Sequence, residues 1–151
     1  MIGWLLDTNV VAELARPGCD AKVAAWARQA PEERLFISIL TLAEYDHGVE
    51  KLAPGAGARP RLAAAVAALE ARFRGGVLSL DDLSVRLWGR ISGRVARDAG
   101  RPPPVVDTLL AAQAIEHDLY LATRNVRDVR NSGAAVFDPW RDDPAGFEVA
   151  G

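Results

Sequence analysis

Apolar residues along this chain fall into two kinds of run. Short, nearly uninterrupted ones at residues 2–6, 35–39, 77–80, 119–122 and 134–137 have the length of strands buried on both faces. Between them lie longer stretches with apolar positions three or four apart, at residues 10–14, 21–29, 41–52, 59–74, 81–98 and 105–116, and one short turn at 126–129. Breakers punctuate the pattern: Arg16-Pro17-Gly18, Ala53-Pro54-Gly55, Gly75-Gly76 and the run Pro102 to Pro104. Strands alternating with helices, each connection long enough for a crossover, predict one α/β domain with a parallel sheet and helices on both faces. The domain is expected to span residues 1–141, with residues 142–151 as a loose C-terminal tail.

Polar residues cluster where apolar runs stop. Asp7-Thr8-Asn9 closes the first strand, and Thr8 or Asn9 can cap the helix that follows. Thr41-Leu42-Ala43-Glu44 opens a helix and has the spacing of a capping box, so Glu44 has a purely structural reading beside any chemical one. Asp107 follows the three prolines at the start of an Ala-rich helix, and Thr123-Arg124-Asn125 closes the fourth strand. In open α/β sheets such junctions gather along the carboxyl edge, where ligands bind. Asp7, Glu44 and Asp107 all lie at such junctions. Two carboxylates 4 Å apart repel by roughly 4 kcal/mol at a surface-like dielectric, so a converged trio shares a proton or holds a cation. Oxygen ligands without cysteine or a well-placed histidine favour Mg²⁺ or Mn²⁺ over zinc. Such an ion bridges phosphate oxygens and activates water, which implies phosphodiester hydrolysis. No Ser-His-Asp set, P-loop or Cys-x-x-Cys offers competing chemistry.

Composition narrows the class. The chain has 151 residues, half of them hydrophobic and a quarter charged, as in soluble globular domains. Its single cysteine, Cys19, excludes an internal disulfide and fits a reducing cytoplasmic setting. The first apolar run lacks a basic leader, and no run reaches the ~18 apolar residues of a membrane span, so neither a signal peptide nor a membrane anchor is expected. Net charge is −2, but residues 59–101 hold nine arginines against four acids, a local balance of +5 that leaves −7 for the remainder. That separation suits an anionic ligand held beside an acidic, metal-charged pocket. Arg86, Arg90, Arg94 and Arg97 share one helical face, which reads either as a solvated surface or as a phosphate-contacting stripe.

Four ordered motifs carry a resemblance. Leu5-Leu6-Asp7-Thr8-Asn9-Val10, Ile37-Ser38-x-x-Thr41-x-x-Glu44, Val106-Asp107-x-x-Leu110-Ala111-Ala112 and Leu121-Ala122-Thr123-Arg124-Asn125-x-x-Asp128 resemble the motifs of PIN-domain nucleases. Among these the chain is similar to VapC-type toxins of type II toxin–antitoxin (VapBC) pairs, and Asp138-Pro139-Trp140 is similar to an Asn-Pro-Trp ending common there. The resemblance implies a Rossmann-like sheet, a Mg²⁺-dependent endoribonuclease, a homodimer, and a cognate VapB-type antitoxin. Asp7, Glu44 and Asp107 carry over as metal-binding carboxylates. The fourth family position, often acidic, falls on Asn125, whose neutral amide suits positioning a water, while Asp128 one turn on can supply the missing charge or simply favour its helix start. Thr8, Asn9 and Thr123 are expected to orient the carboxylates or water. Arg124 joins the candidate phosphate contacts, with a surface role as its alternative. Asn125 also leaves room for a catalytically silent PIN-like module that binds protein or nucleic acid. A phosphoacceptor domain is disfavoured, since the only lysines, Lys22 and Lys51, lie in helices away from the expected edge.

Overall fold

The computed structural model describes all of residues 1–151. Five parallel strands form one sheet in the order β3-β2-β1-β4-β5. They are β1 (Gly3–Leu6), β2 (Leu35–Ser38), β3 (Val77–Leu78), β4 (Leu119–Ala122) and β5 (Val136–Phe137). β1 is central and buried at every residue, as a strand covered on both faces requires. Gly3 lets β2 come close: a Cβ there would sit 2.3 Å from the carbonyl oxygen of Arg34.

Seven helices cover the sheet: α1 (Thr8–Ala15), α2 (Ala21–Gln29), α3 (Ile39–Lys51), α4 (Ala58–Arg72), α5 (Asp82–Ala99), α6 (Val105–Glu116) and α7 (Val126–Val129). Strand alternation divides the core. Trp4 and Leu6 face one layer, with Val10, Val11, Trp26, Leu42 and Phe73 from the first three helices and the turn after α4. Leu5, Leu119 and Leu121 face the other, with Leu110, Ala111 and Ala114 of α6 and Val129 of α7. α5 lies against α6, so α6 is enclosed between sheet and helix, which explains why it is apolar nearly all round. Gly100, at φ +75°, ends α5 in the left-handed conformation. No helix is long and apolar enough to cross a membrane.

The chain starts at β1, builds outward through β2 to β3, then returns to β1's other side as β4 and β5. The direction of winding reverses between β1 and β4, and open α/β sheets form their binding crevice beyond the carboxyl ends at such a point. Asp7 follows β1 directly and Thr123 follows β4 directly.

Three local expectations are corrected. Thr41 does not cap a helix. α3 begins three residues earlier, where the Ser38 hydroxyl accepts from the Leu40 amide at 3.0 Å, so Ile39 belongs to the helix and not to the strand. Similarly, Asp7 rather than Thr8 or Asn9 caps α1. The C-terminal residues are also not loose. Phe147 packs against Phe137 and Tyr120 at ring separations of 4.7 and 5.2 Å, and the Ala150 amide donates to the Met1 carbonyl at 2.9 Å.

Candidate active site

The site begins with Asp7, 6% exposed at the end of the central strand. Its carboxylate accepts the Thr8 amide at 2.6 Å, the Thr123 hydroxyl at 2.7 Å and the Asn9 side-chain amide at 3.1 Å. Asn9 also accepts the Arg124 amide at 3.2 Å, and the Thr123 hydroxyl accepts the Asn125 amide at 3.0 Å. These bonds sew the β1–α1 junction to the β4–α7 junction. Each donor used on Asp7 is unavailable for another conformation, so the carboxylate is fixed in direction. Burial pushes the Asp7 carboxyl above its usual range, and the three hydrogen bonds oppose that push.

Glu44 comes from the second turn of α3. With Ser38 as the cap, its carboxylate is not drawn back to the helix end. Thr41, fully buried one turn earlier, meets the Thr8 hydroxyl at 2.9 Å and joins α3 to α1. Desolvation and the charge of Asp7 raise the Glu44 carboxyl, with the Thr8 side chain opposing. Asp107 comes from the first turn of α6, which is held in place where Thr108 donates to the Pro104 carbonyl. Its carboxyl is pushed up to about 6 by desolvation first, then by Asp7, Asp128 and Glu44, and nothing offsets these effects.

Asp7, Thr8, Asn9, Glu44, Val106, Asp107 and Asn125 line one open pocket of about 520 Å³. The carboxylates are not drawn into a tight cluster. The one trio of ligating groups within 4.8 Å of one another lies elsewhere: Asp81, Glu116 and His117, at the opposite end of α6 from Asp107. That trio, absent from the sequence-based expectation, reads as a helix clamp. Asp81 caps α5 through the Ser84 amide at 2.9 Å, and the Ser84 hydroxyl bonds Glu116. The wider pocket fits a hard divalent cation that keeps several waters and takes one or two carboxylates directly. Its donors are carboxylate and amide oxygens, with neither sulfur nor imidazole; His47 is exposed on α3 and does not line it.

The remaining expected residues spread around this pocket. Asp128 is exposed on α7, close enough to Asp107 to raise its carboxyl, but it lines a neighbouring groove. Arg124 turns its guanidinium over the Trp140 ring, 5.0 Å from the centroid. Arg86, Arg90, Arg94 and Arg97 lie along α5 as expected, all exposed. Two of them have internal partners: Arg97 pairs with Asp98 at 3.0 Å, and Arg94 donates to the carbonyls of Asn131 at 3.1 Å and Ser132 at 2.9 Å.

Known proteins resemble this arrangement over almost its whole length. The sequence matches the PIN domain family over residues 4–131. It is 33% identical over 141 residues to Toxin FitB of Neisseria gonorrhoeae, covering 91% of this chain and 99% of that one. It is 30% identical over 139 residues to VapC ribonuclease Y4jK of Sinorhizobium fredii, covering 90% and 96%. Its fold is similar to a chain in the DNA-bound VapBC crystal structure from Salmonella typhimurium, with a TM-score of 0.76, 26% identity and coverage of 92% and 99%. The chain, with its carboxylates gathered at the reversal point of a five-stranded parallel sheet, belongs to the PIN domain family.

Proposed function

We propose that this protein is the endoribonuclease toxin of a toxin–antitoxin pair, cutting RNA phosphodiester bonds with Mg²⁺ or Mn²⁺ held by Asp7, Glu44 and Asp107. The observation that carries this reading is the shared pocket: three carboxylates from three separate elements line it, and Asp107, pushed up to about 6 by desolvation first, is raised further by the charges of Asp7, Asp128 and Glu44. Such an arrangement is unfavourable without a cation, and a ribonuclease name among relatives of similar length directs it to RNA. The bound ion would neutralise the trio, engage the scissile phosphate and activate water. Asp7, fixed by Thr8, Asn9 and Thr123, sets the direction of one ligand. Glu44 and Asp107 supply the remaining charge, Asp128 reinforces it from α7, and the Asn125 amide orients a water at the pocket wall. Arg86, Arg90, Arg97 and Arg124 are the candidate contacts for phosphates farther from the cut. A cognate VapB-type antitoxin completes the assembly, by analogy with the FitAB and VapBC complexes, and a homodimer follows only from the family resemblance.

Asn125 favours one other reading. A neutral amide where the family often has an acid weakens cation binding and would suit a silent module that binds RNA or protein. Turnover separates the two. Purified protein freed of metal should leave cellular RNA intact, and adding Mg²⁺ or Mn²⁺ should produce discrete fragments that EDTA suppresses. Intact RNA at every metal concentration would favour the silent module.

A further inference from the structure

Beside the carboxylate pocket lies a larger groove, about 900 Å³, between the C-terminal end of α5, the proline run and α7. The first turn of α6 is the ridge between the two. Val106 and Asp107 face the pocket, whereas Val105 and Thr108 face the groove. Arg101, Arg127 and Arg130 line it, with Asp128 as the sole acid. All three arginines are exposed, and none lies within 4.0 Å of a carboxylate, whereas Arg16, Arg59, Arg72, Arg97 and Arg141 each do. The groove's own balance is therefore +2 on a protein of net charge −2.

We propose that this groove, through Arg101, Arg127 and Arg130, holds the phosphate backbone of a single RNA strand on one side of the cut. The proposal rests on the ribonuclease reading and assigns where that substrate lies. Three features support it. An anion in the groove gains three guanidinium partners that have no internal carboxylate to give up. The walls are braced before binding: Pro102 to Pro104 restrict one side, and Arg94 ties α5 to the turn after α7 through the carbonyls of Asn131 and Ser132. No aromatic side chain lines the groove, so it offers no stacking platform for bases. Contacts confined to phosphates position a strand without reading its sequence. Arg94 is thus a positioning residue for the groove rather than a phosphate contact.

The test is RNA affinity as a function of salt, in the Asp107→Asn background so that substrate survives. Two single-stranded RNAs of unrelated sequence serve as probes, and Arg61→Ala, exposed on α4, is the control. Replacing Arg101, Arg127 and Arg130 together with Ala should flatten the log–log salt slope by about 2 and weaken binding roughly a hundredfold at 0.1 M salt, equally for both RNAs. Replacing the three with Lys should restore most of the slope, since each lysine still neutralises a phosphate. A triple-alanine slope equal to that of Arg61→Ala would overturn the groove assignment alone. A loss confined to one RNA would overturn the backbone reading. Failure of the Asp107→Asn parent itself to bind either RNA would remove both the groove and the ribonuclease reading beneath it.

Discussion

The side chains around Asp7 do opposite things to its charge. Burial disfavours the carboxylate, while Thr8, Asn9 and Thr123 donate to it. Removing one donor leaves the burial cost and part of the compensation. Thr123→Val keeps the shape but deletes the hydroxyl, and should cost about 1–3 kcal/mol of stability at neutral pH. Denaturant unfolding at pH 7 and pH 4 checks this, and the loss should shrink at the lower pH as Asp7 takes up a proton. Asp107 has no such compensation. Its native carboxyl, at about 6, lies above the ordinary 3.8, so below pH 4 it is protonated in both states and its contribution is fully present. As pH rises through 6 the native state loses that proton against its preference, and stability falls. Metal-free protein should therefore lose thermal stability between pH 4 and 7. Asp107→Asn should flatten that loss and melt higher than the wild type at pH 7. Excess Mg²⁺ should narrow or reverse the gap by binding only the wild type well. A variant that melts lower at pH 7 without metal would contradict the electrostatic account.

At the scale of elements, local rules decide most of what is seen, and the departures have identifiable causes. The central strand and the Ala-rich α6 were legible because burial on both sides demands continuous apolar residues. The start of α3 was not. Ile39 and Leu40 extend an apolar run of strand character, and only the Ser38 cap, visible with the backbone in place, claims them for the helix. The packed C-terminus was hidden because Phe147 and Val149 stand singly in a polar stretch; Phe147 finds its partners, Phe137 and Tyr120, on two strands, and Val149 packs on the same core layer. Gly3 shows the reverse, a local residue dictated by a distant one. Gly3→Ala drives a Cβ against the Arg34 carbonyl, and backbone cannot step aside as a side chain can. The expected cost is about 1–3 kcal/mol, read as a lower denaturant midpoint with unchanged slope. An unchanged midpoint would mean the two strands separate more easily than their pairing suggests.

For the molecule as a whole, the reversal of winding between β1 and β4 brings Asp7, Thr123 and Asn125 to the crevice that Glu44 and Asp107 complete. Asp7, Glu44 and Asp107 could be nominated from sequence because each is expected at a junction that parallel topology collects, although Glu44 proves to lie in the second turn of α3; Thr8, Asn9, Thr123 and Asn125 are nominated through the resemblance of their motifs to PIN-domain nucleases. The basic groove could not be, because Arg127 and Arg130, one turn apart at α7, are joined to Arg101 beyond the end of α5 only by the fold. The stripe on α5 that did have periodicity yields Arg94 to an internal brace. One comparison addresses directly whether the acidic crevice is the reaction centre. Total RNA is incubated in Mg²⁺ with the wild type and with Asp107→Asn, both confirmed as folded. The wild type should give discrete fragments and the variant at least a hundredfold less cleavage. Equal cleavage by the two would mean that the carboxylates at the sheet edge are not where the chemistry occurs.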